Sequence, residues 1–114
     1  MSDYTLENAW AQAEKYPDTF HLPDKEDIEA LGTGDYAKLC FLHTDGSMGE
    51  RMWVEVKLRS GSTFRGVLAN NPVKIMLGRP GDPVAFREEN ILEAVSLSEM
   101  KERALCRALG ALKV

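Results

Sequence analysis

The chain has 114 residues, 44% of them hydrophobic, with a formal net charge of −4, a size that suits one domain able to bury a core without metal or disulfide staples. No run of about 18 apolar residues occurs and no basic stretch leads into an apolar one at the amino terminus, so neither a membrane span nor a signal peptide is expected. A cytoplasmic protein follows as the expectation, with Cys40 and Cys106 as small buried hydrophobes in a strand and a helix rather than a disulfide.

Charge is segregated along the chain. Residues 1–50 carry eleven acids against Lys15, Lys25 and Lys38, whereas residues 51–114 hold eleven Lys or Arg against seven acids. Such an asymmetry means either that the halves pack with complementary fields or that one face is kept for a charged partner.

In chain order, Leu6, Ala9, Trp10 and Ala13 recur at the spacing of an amphipathic helix from Thr5 to Tyr16, ended by Pro17, with Trp10 on the buried stripe. A second short helix is expected from Asp24 to Leu31: Pro23 precedes it, acids fill its first turn, Ile28 and Leu31 anchor it and Gly32 stops it. Both are acidic outside and too short to stand alone.

From Tyr36 the texture becomes β, with runs at Tyr36 to His43, Arg51 to Arg59, Thr63 to Asn70, Val73 to Leu77, and Val84 to Phe86 continuing through Ile91 to Val95. The breakers between them are Asp45-Gly46, Ser60-Gly61-Ser62, Asn70-Asn71-Pro72 and Arg79-Pro80-Gly81-Asp82, and the second of these closes a hairpin. Gly34-Asp35 and Gly81-Asp82 each precede alternating apolar positions and read as turns feeding strands. Ser96 and Glu99 form a capping box for a final helix whose stripe is Leu97, Met100, Ala104, Ala108 and Leu112, with Arg103, Arg107 and Lys113 toward its negative end.

The fold expected is therefore α+β: a small, strongly bent antiparallel sheet or partly open barrel with N-terminal helices and a C-terminal helix. It forms a single domain over residues 1–114, divided into an acidic helical segment (1–33), a β-sheet core (34–95) and the C-terminal helix (96–114).

Candidate chemistry is sparse. Arg51 to Arg59 alternates so that Met52, Val54, Val56 and Leu58 face inward while Arg51, Trp53, Glu55, Lys57 and Arg59 face outward, which leaves Trp53 needing a cover. One cover is the acidic N-terminal helices, with the surrounding cations as their salt-bridge partners. The alternative is a ligand: Arg51, Trp53, Lys57, Arg59 and Arg65 could hold the phosphates and a stacked base of nucleic acid, or a small anion. Cys40-x-x-His43 has metal-like spacing, but strand positions three apart face opposite ways, so no metal and no other cofactor is expected. Glu50 with Glu55, or Glu88 with Glu89, could pair for acid and base work, yet nothing fixes their distance, and no catalytic residue is assigned.

The segments Gly34-Asp35-Tyr36-Ala37-Lys38-Leu39-Cys40-Phe41, Gly49-Glu50-Arg51-Met52-Trp53-Val54-Glu55-Val56, Gly66-Val67-Leu68-Ala69-Asn70-Asn71-Pro72 and Gly81-Asp82-Pro83-Val84-Ala85-Phe86, followed by Ile91, resemble the bacterial YegJ-like domain of unknown function 2314. The likeness covers about residues 24–95; after Ile91 this chain has Leu92-Glu93 where the family often has Asp-Trp. It implies a small α+β fold without established activity, and a looser, fold-level kinship with immunity proteins that neutralise bacterial toxins. The expectation is thus a non-catalytic module that binds a protein such as a cognate toxin through Asp24, Glu26, Asp27, Glu29 and Asp35, with nucleic acid less favoured and no membrane partner.

Overall fold

The computed structural model describes residues 4–43, 49–69 and 81–103. In chain order the elements are β1 (Tyr4–Leu6), α1 (Ala9–Lys15), α2 (Lys25–Glu29), β2 (Tyr36–His43), β3 (Glu50–Ser60), β4 (Thr63–Leu68), β5 (Pro83–Arg87), a 3₁₀ turn (Glu88–Asn90), β6 (Ile91–Val95) and a final helix α3 over residues 97–103. The expected runs at Val73 to Leu77, Asp45-Gly46 and Asn70-Asn71-Pro72, together with the helix beyond residue 103 and Cys106, lie outside the described residues.

Strands β2 to β5 form an antiparallel meander, and β6 returns to pair with β2. One edge of β2 is taken by β3. The other is divided: β6 pairs with Tyr36 to Leu39 and β1 with Phe41 to His43. The result is the expected α+β architecture, six antiparallel strands curled into a nearly closed barrel. Its interior holds Leu39, Phe41, Met52, Val54, Val56, Phe64, Leu68, Phe86 and Ile91, with Ile28 and Leu31 of the α2 segment packed on one end. Phe64 and Phe86 stack with ring centroids 5.0 Å apart.

The two Gly-Asp turns have the same geometry. Gly34 (φ +95°) donates its N–H to the Val56 carbonyl while Val56 N–H donates to Asp35 O; Gly81 (φ +98°) and Asp82 treat Leu68 identically. Two residues thus oppose one, with glycine in the left-handed region, which is a G1 bulge that bends the sheet as each strand begins.

Three details correct the sequence reading. Thr5 and Leu6 belong to β1, and α1 starts only at Ala9 behind the Asn8 cap, whose Oδ1 accepts the Ala11 N–H at 3.0 Å. That shift rotates the stripe onto Ala9, and Trp10 is left 48% exposed. In β3 the ladder slips between Val56 and Leu58, so alternation breaks and Leu58 is 65% exposed rather than inward. Finally, Val84 to Val95 is not one run: the 3₁₀ turn separates β5 from β6 and carries the chain to β2. Asn90 fixes that corner, accepting the Arg87 N–H at 2.9 Å and donating Nδ2 to Glu7 O at 3.2 Å.

The same slip sends Arg59 to the end of the barrel instead of the Trp53 face. Its Nη1 donates to the carbonyls of Ile28, Glu29 and Leu31 at 2.8, 3.1 and 3.0 Å, and its Nε to Gly61 O at 2.9 Å. Nη2 lies 3.3 Å from Glu88 Oε2, and the guanidinium covers the Phe64 ring at 4.7 Å. One planar fork therefore satisfies the carbonyls at the end of α2 and holds that helix on the core.

Two stability predictions follow from this packing. Arg59→Ala lowers unfolding free energy by about 2–3 kcal/mol, the worth of a charged donor to several carbonyls, and Arg59→Lys recovers little because an ammonium cannot fork; denaturant melts in which lysine restores full stability would refute the assignment. Gly66 lies opposite Val56, and a Cβ there would fall on the Glu55 carbonyl oxygen and 2.7 Å from Val54 Cγ1. Gly66→Ala therefore destabilises by about 2 kcal/mol or more, and an unchanged melting midpoint would contradict this close approach.

Candidate functional site

Alternation on β2 turns Tyr36, Lys38 and Cys40 to the outer face of the sheet, and on β3 it turns Arg51, Trp53 and Glu55 there. Register then sets Lys38 opposite Trp53 and Cys40 opposite Arg51, while across the other edge of β2 Lys38 faces Glu93. Trp53, Lys38 and Glu93 thus form a row across three strands. Lys38 Nζ lies 4.9 Å from the Trp53 ring centroid and 3.3 Å from Glu93 Oε1.

A second cation joins the row from α3. Arg103 Nη2 is 2.8 Å from Glu93 Oε2 and 3.8 Å from Glu99 Oε1, and its guanidinium sits 5.9 Å from the Trp53 centroid. Burial works against ionisation of Glu93, but the bonds and charges of Arg103 and Lys38 outweigh it and hold the carboxyl below its ordinary value. The start of α3 is fixed by side-chain oxygens: Ser96 Oγ accepts the Glu99 N–H at 3.1 Å and Asp35 Oδ1 accepts the Leu97 N–H at 3.0 Å. Two cations therefore lie over Trp53, and their shared carboxylate comes from β6, not from the acidic N-terminal helices.

Cys40 is buried on this outer face. Burial pushes its thiol up to about 12, helped by a hydrogen bond to Glu7 and that residue's charge, with Arg51 acting weakly the other way. Gly49 accommodates it, since a Cβ there would lie 2.7 Å from Cys40 Sγ. Next to Lys38 and Arg51 the connection between α1 and α2 overhangs the sheet and leaves a cleft of about 250 Å³ lined by Thr19, Phe20, His21, Lys38, Arg51, Leu92 and Glu93.

The residues proposed for a nucleic-acid face are not assembled in one place. Arg51 and Trp53 share the outer face, but Lys57 is bonded to Glu55 at 2.8 Å, Arg59 is at the barrel end, and Arg65 sits on β4 opposite Leu58. The carboxylate pairs are not assembled either. Glu50 and Glu55 are five positions apart on one extended strand, roughly 16 Å along it. Glu88 is bonded to Arg59, and Glu89 to Arg87 at 3.2 Å.

Of the acidic residues, Asp24, Glu26, Asp27 and Glu29 are exposed along α2. Asp35 is not available in the same way, because Oδ2 accepts the Gly32 N–H at 2.9 Å while Oδ1 holds α3. Beside the acidic helix runs a groove of about 500 Å³ lined by Trp10, Leu22, Pro23, Lys25, Ile28, Glu29 and Glu88. Trp10 and Leu22 are 48% and 42% exposed there. Sequence reasoning missed this groove because it placed Trp10 in the core; it missed Glu93 because an isolated acid in a short strand carries no signal until register sets it beside Lys38.

Glu93→Gln in a Trp10→Phe background is expected to loosen Arg103 from Trp53, red-shift the remaining emission and lower stability by about 1 kcal/mol. The folded carboxyl titrates below its unfolded value of 4.5, so its stabilisation is present above that pH and is lost as pH falls through the lower, folded value. The difference between the two proteins should vanish in stronger acid, and one that persists there unchanged would rule out the ion pair as its source.

Among the described residues no helix is long and apolar enough to cross a membrane. Comparison with protein-family models, with curated proteins and with solved structures finds no match to this chain.

Proposed function

We propose that this chain is a non-catalytic bacterial protein-binding module of the YegJ-like kind, acting as an immunity or antitoxin-like inhibitor of a basic toxin. The observation that carries the reading is the α1–α2 face, where the half-exposed Trp10 and Leu22 line a groove next to the exposed carboxylates of Asp24, Glu26, Asp27 and Glu29. A large aromatic in a concave apolar patch supplies the anchor of a protein interface, and a charged border supplies steering. The partner's matching surface is basic with an apolar protrusion, as around the active site of an enzyme that handles nucleic acid. Inhibition then needs no chemistry from this chain, only occlusion.

The reading is tested by isolating the partner from the host with the intact chain as bait, then measuring its affinity and its activity with purified components. Charge reversal at Glu26, Asp27 and Glu29 is expected to slow association and flatten its dependence on salt. Trp10→Ala should cost about 2 kcal/mol of binding with little loss of stability, since its side chain is half exposed. Affinity unchanged in both variants would remove this face from the interface, and full partner activity in the saturated complex would end the inhibitor reading.

A further inference from the structure

Independently of the α1–α2 face, we infer that the cleft between the α1–α2 connection and the outer face of β2 and β3 binds a small organic oxyanion, a carboxylate or a phosphate monoester. Lys38 and Arg51 project into it from adjacent strands. Their register, Lys38 opposite Trp53 and Arg51 opposite Cys40, makes them diagonal neighbours on one face, within about 7–8 Å and so able to hold one oxyanion between them. Arg51 offers a planar fork for two oxygens and Lys38 a point charge. The opposite wall brings the Thr19 hydroxyl and the His21 imidazole, and Phe20 adds apolar surface.

Among the lining residues the cations Lys38 and Arg51 outnumber the carboxylate Glu93. Glu93 is the one carboxylate among the lining residues, and its two oxygens are taken by Lys38 and by Arg103, which reaches it from α3. Glu7 is hydrogen-bonded to the Cys40 thiol, which the Arg51 side chain also reaches. The cleft's volume of about 250 Å³, roughly eight water volumes, accommodates an oxyanion on a small ring. Arg59 has passed to the barrel end, Lys57 is paired with Glu55 and Arg65 lies on β4 opposite Leu58, which interrupts the basic track that a nucleic acid would follow.

The test is a ¹⁵N NMR titration of the full chain with phenyl phosphate, benzoate and inorganic phosphate. Saturable shifts confined to Thr19, Phe20, His21, Lys38 and Arg51 are expected, with millimolar affinity; the better of phenyl phosphate and benzoate identifies the anionic group, and weaker binding of inorganic phosphate shows that the ring is read. Arg51→Gln should weaken binding about tenfold or more, whereas Arg65→Gln, on β4, should leave it unchanged. The amide spectrum of Arg51→Gln away from the cleft checks that the fold is intact. Shifts that stay linear and scattered, or affinity equal in Arg51→Gln and wild type, would overturn the site.

Discussion

Every layer of this structure depends on β2 having only two edges for three partners. β3 takes one edge from Tyr36 to Phe41, so β1 and β6 must share the other, β6 along Tyr36 to Leu39 and β1 along Phe41 to His43. A flat sheet could not bring β6 there, because β5 lies at the far end of the meander and only a three-residue turn links it to β6. The sheet must therefore curl until β6 meets β2. The G1 bulges at Gly34 and Gly81, the slip in β3 and the bare backbone of Gly66 are the local devices that permit the curl. The curl in turn makes the core, since it wraps the inward positions of five strands around Phe41, Phe64 and Leu39.

Curling also decides which charges become structural. Glu93, Glu88 and Asp35 look no different in sequence from the acids of α2, yet each lands where the chain needs a partner: Glu93 between Lys38 and Arg103, Glu88 beside Arg59, Asp35 under the first turn of α3. Asp24, Glu26, Asp27 and Glu29 instead remain exposed on the outside of a helix whose inner side is occupied by Ile28 and Leu31. The ion pairs at Glu93 and Glu88 take their acids from the basic second half of the chain, whereas the acids that α2 contributes from the first half are displayed, and it is these that the proposed interface draws upon.

Periodicity places one of the two tryptophans and misplaces the other. Trp10 fits a helical stripe only if the helix includes Leu6, but Leu6 gains more by pairing with Phe41 on β2, where Tyr4 also packs edge-on against the Phe41 ring at 4.9 Å. Trp53 is outward as its strand pattern requires, and what shelters it is a lysine fixed by cross-strand register and an arginine brought by α3. A local period can say which way a side chain points, but not what lies opposite.

The sequence by itself determined several of the elements: the strand at Tyr36 to His43, the hairpin at Gly61, the helix behind Asp24, the Ser96 cap and the inward set Met52, Val54 and Val56. These depend on interactions within a few residues, namely alternation, turn chemistry and capping, and such interactions are written in short windows. Only the tertiary structure decided the division of β2 between β1 and β6, the passage of Arg59 to the barrel end, the Lys38–Glu93–Arg103 cluster over Trp53, and the opening of the two clefts. Each of those joins residues tens of positions apart, through register and closure of a curled sheet, and no local pattern in the chain encodes which distant strand will be its neighbour.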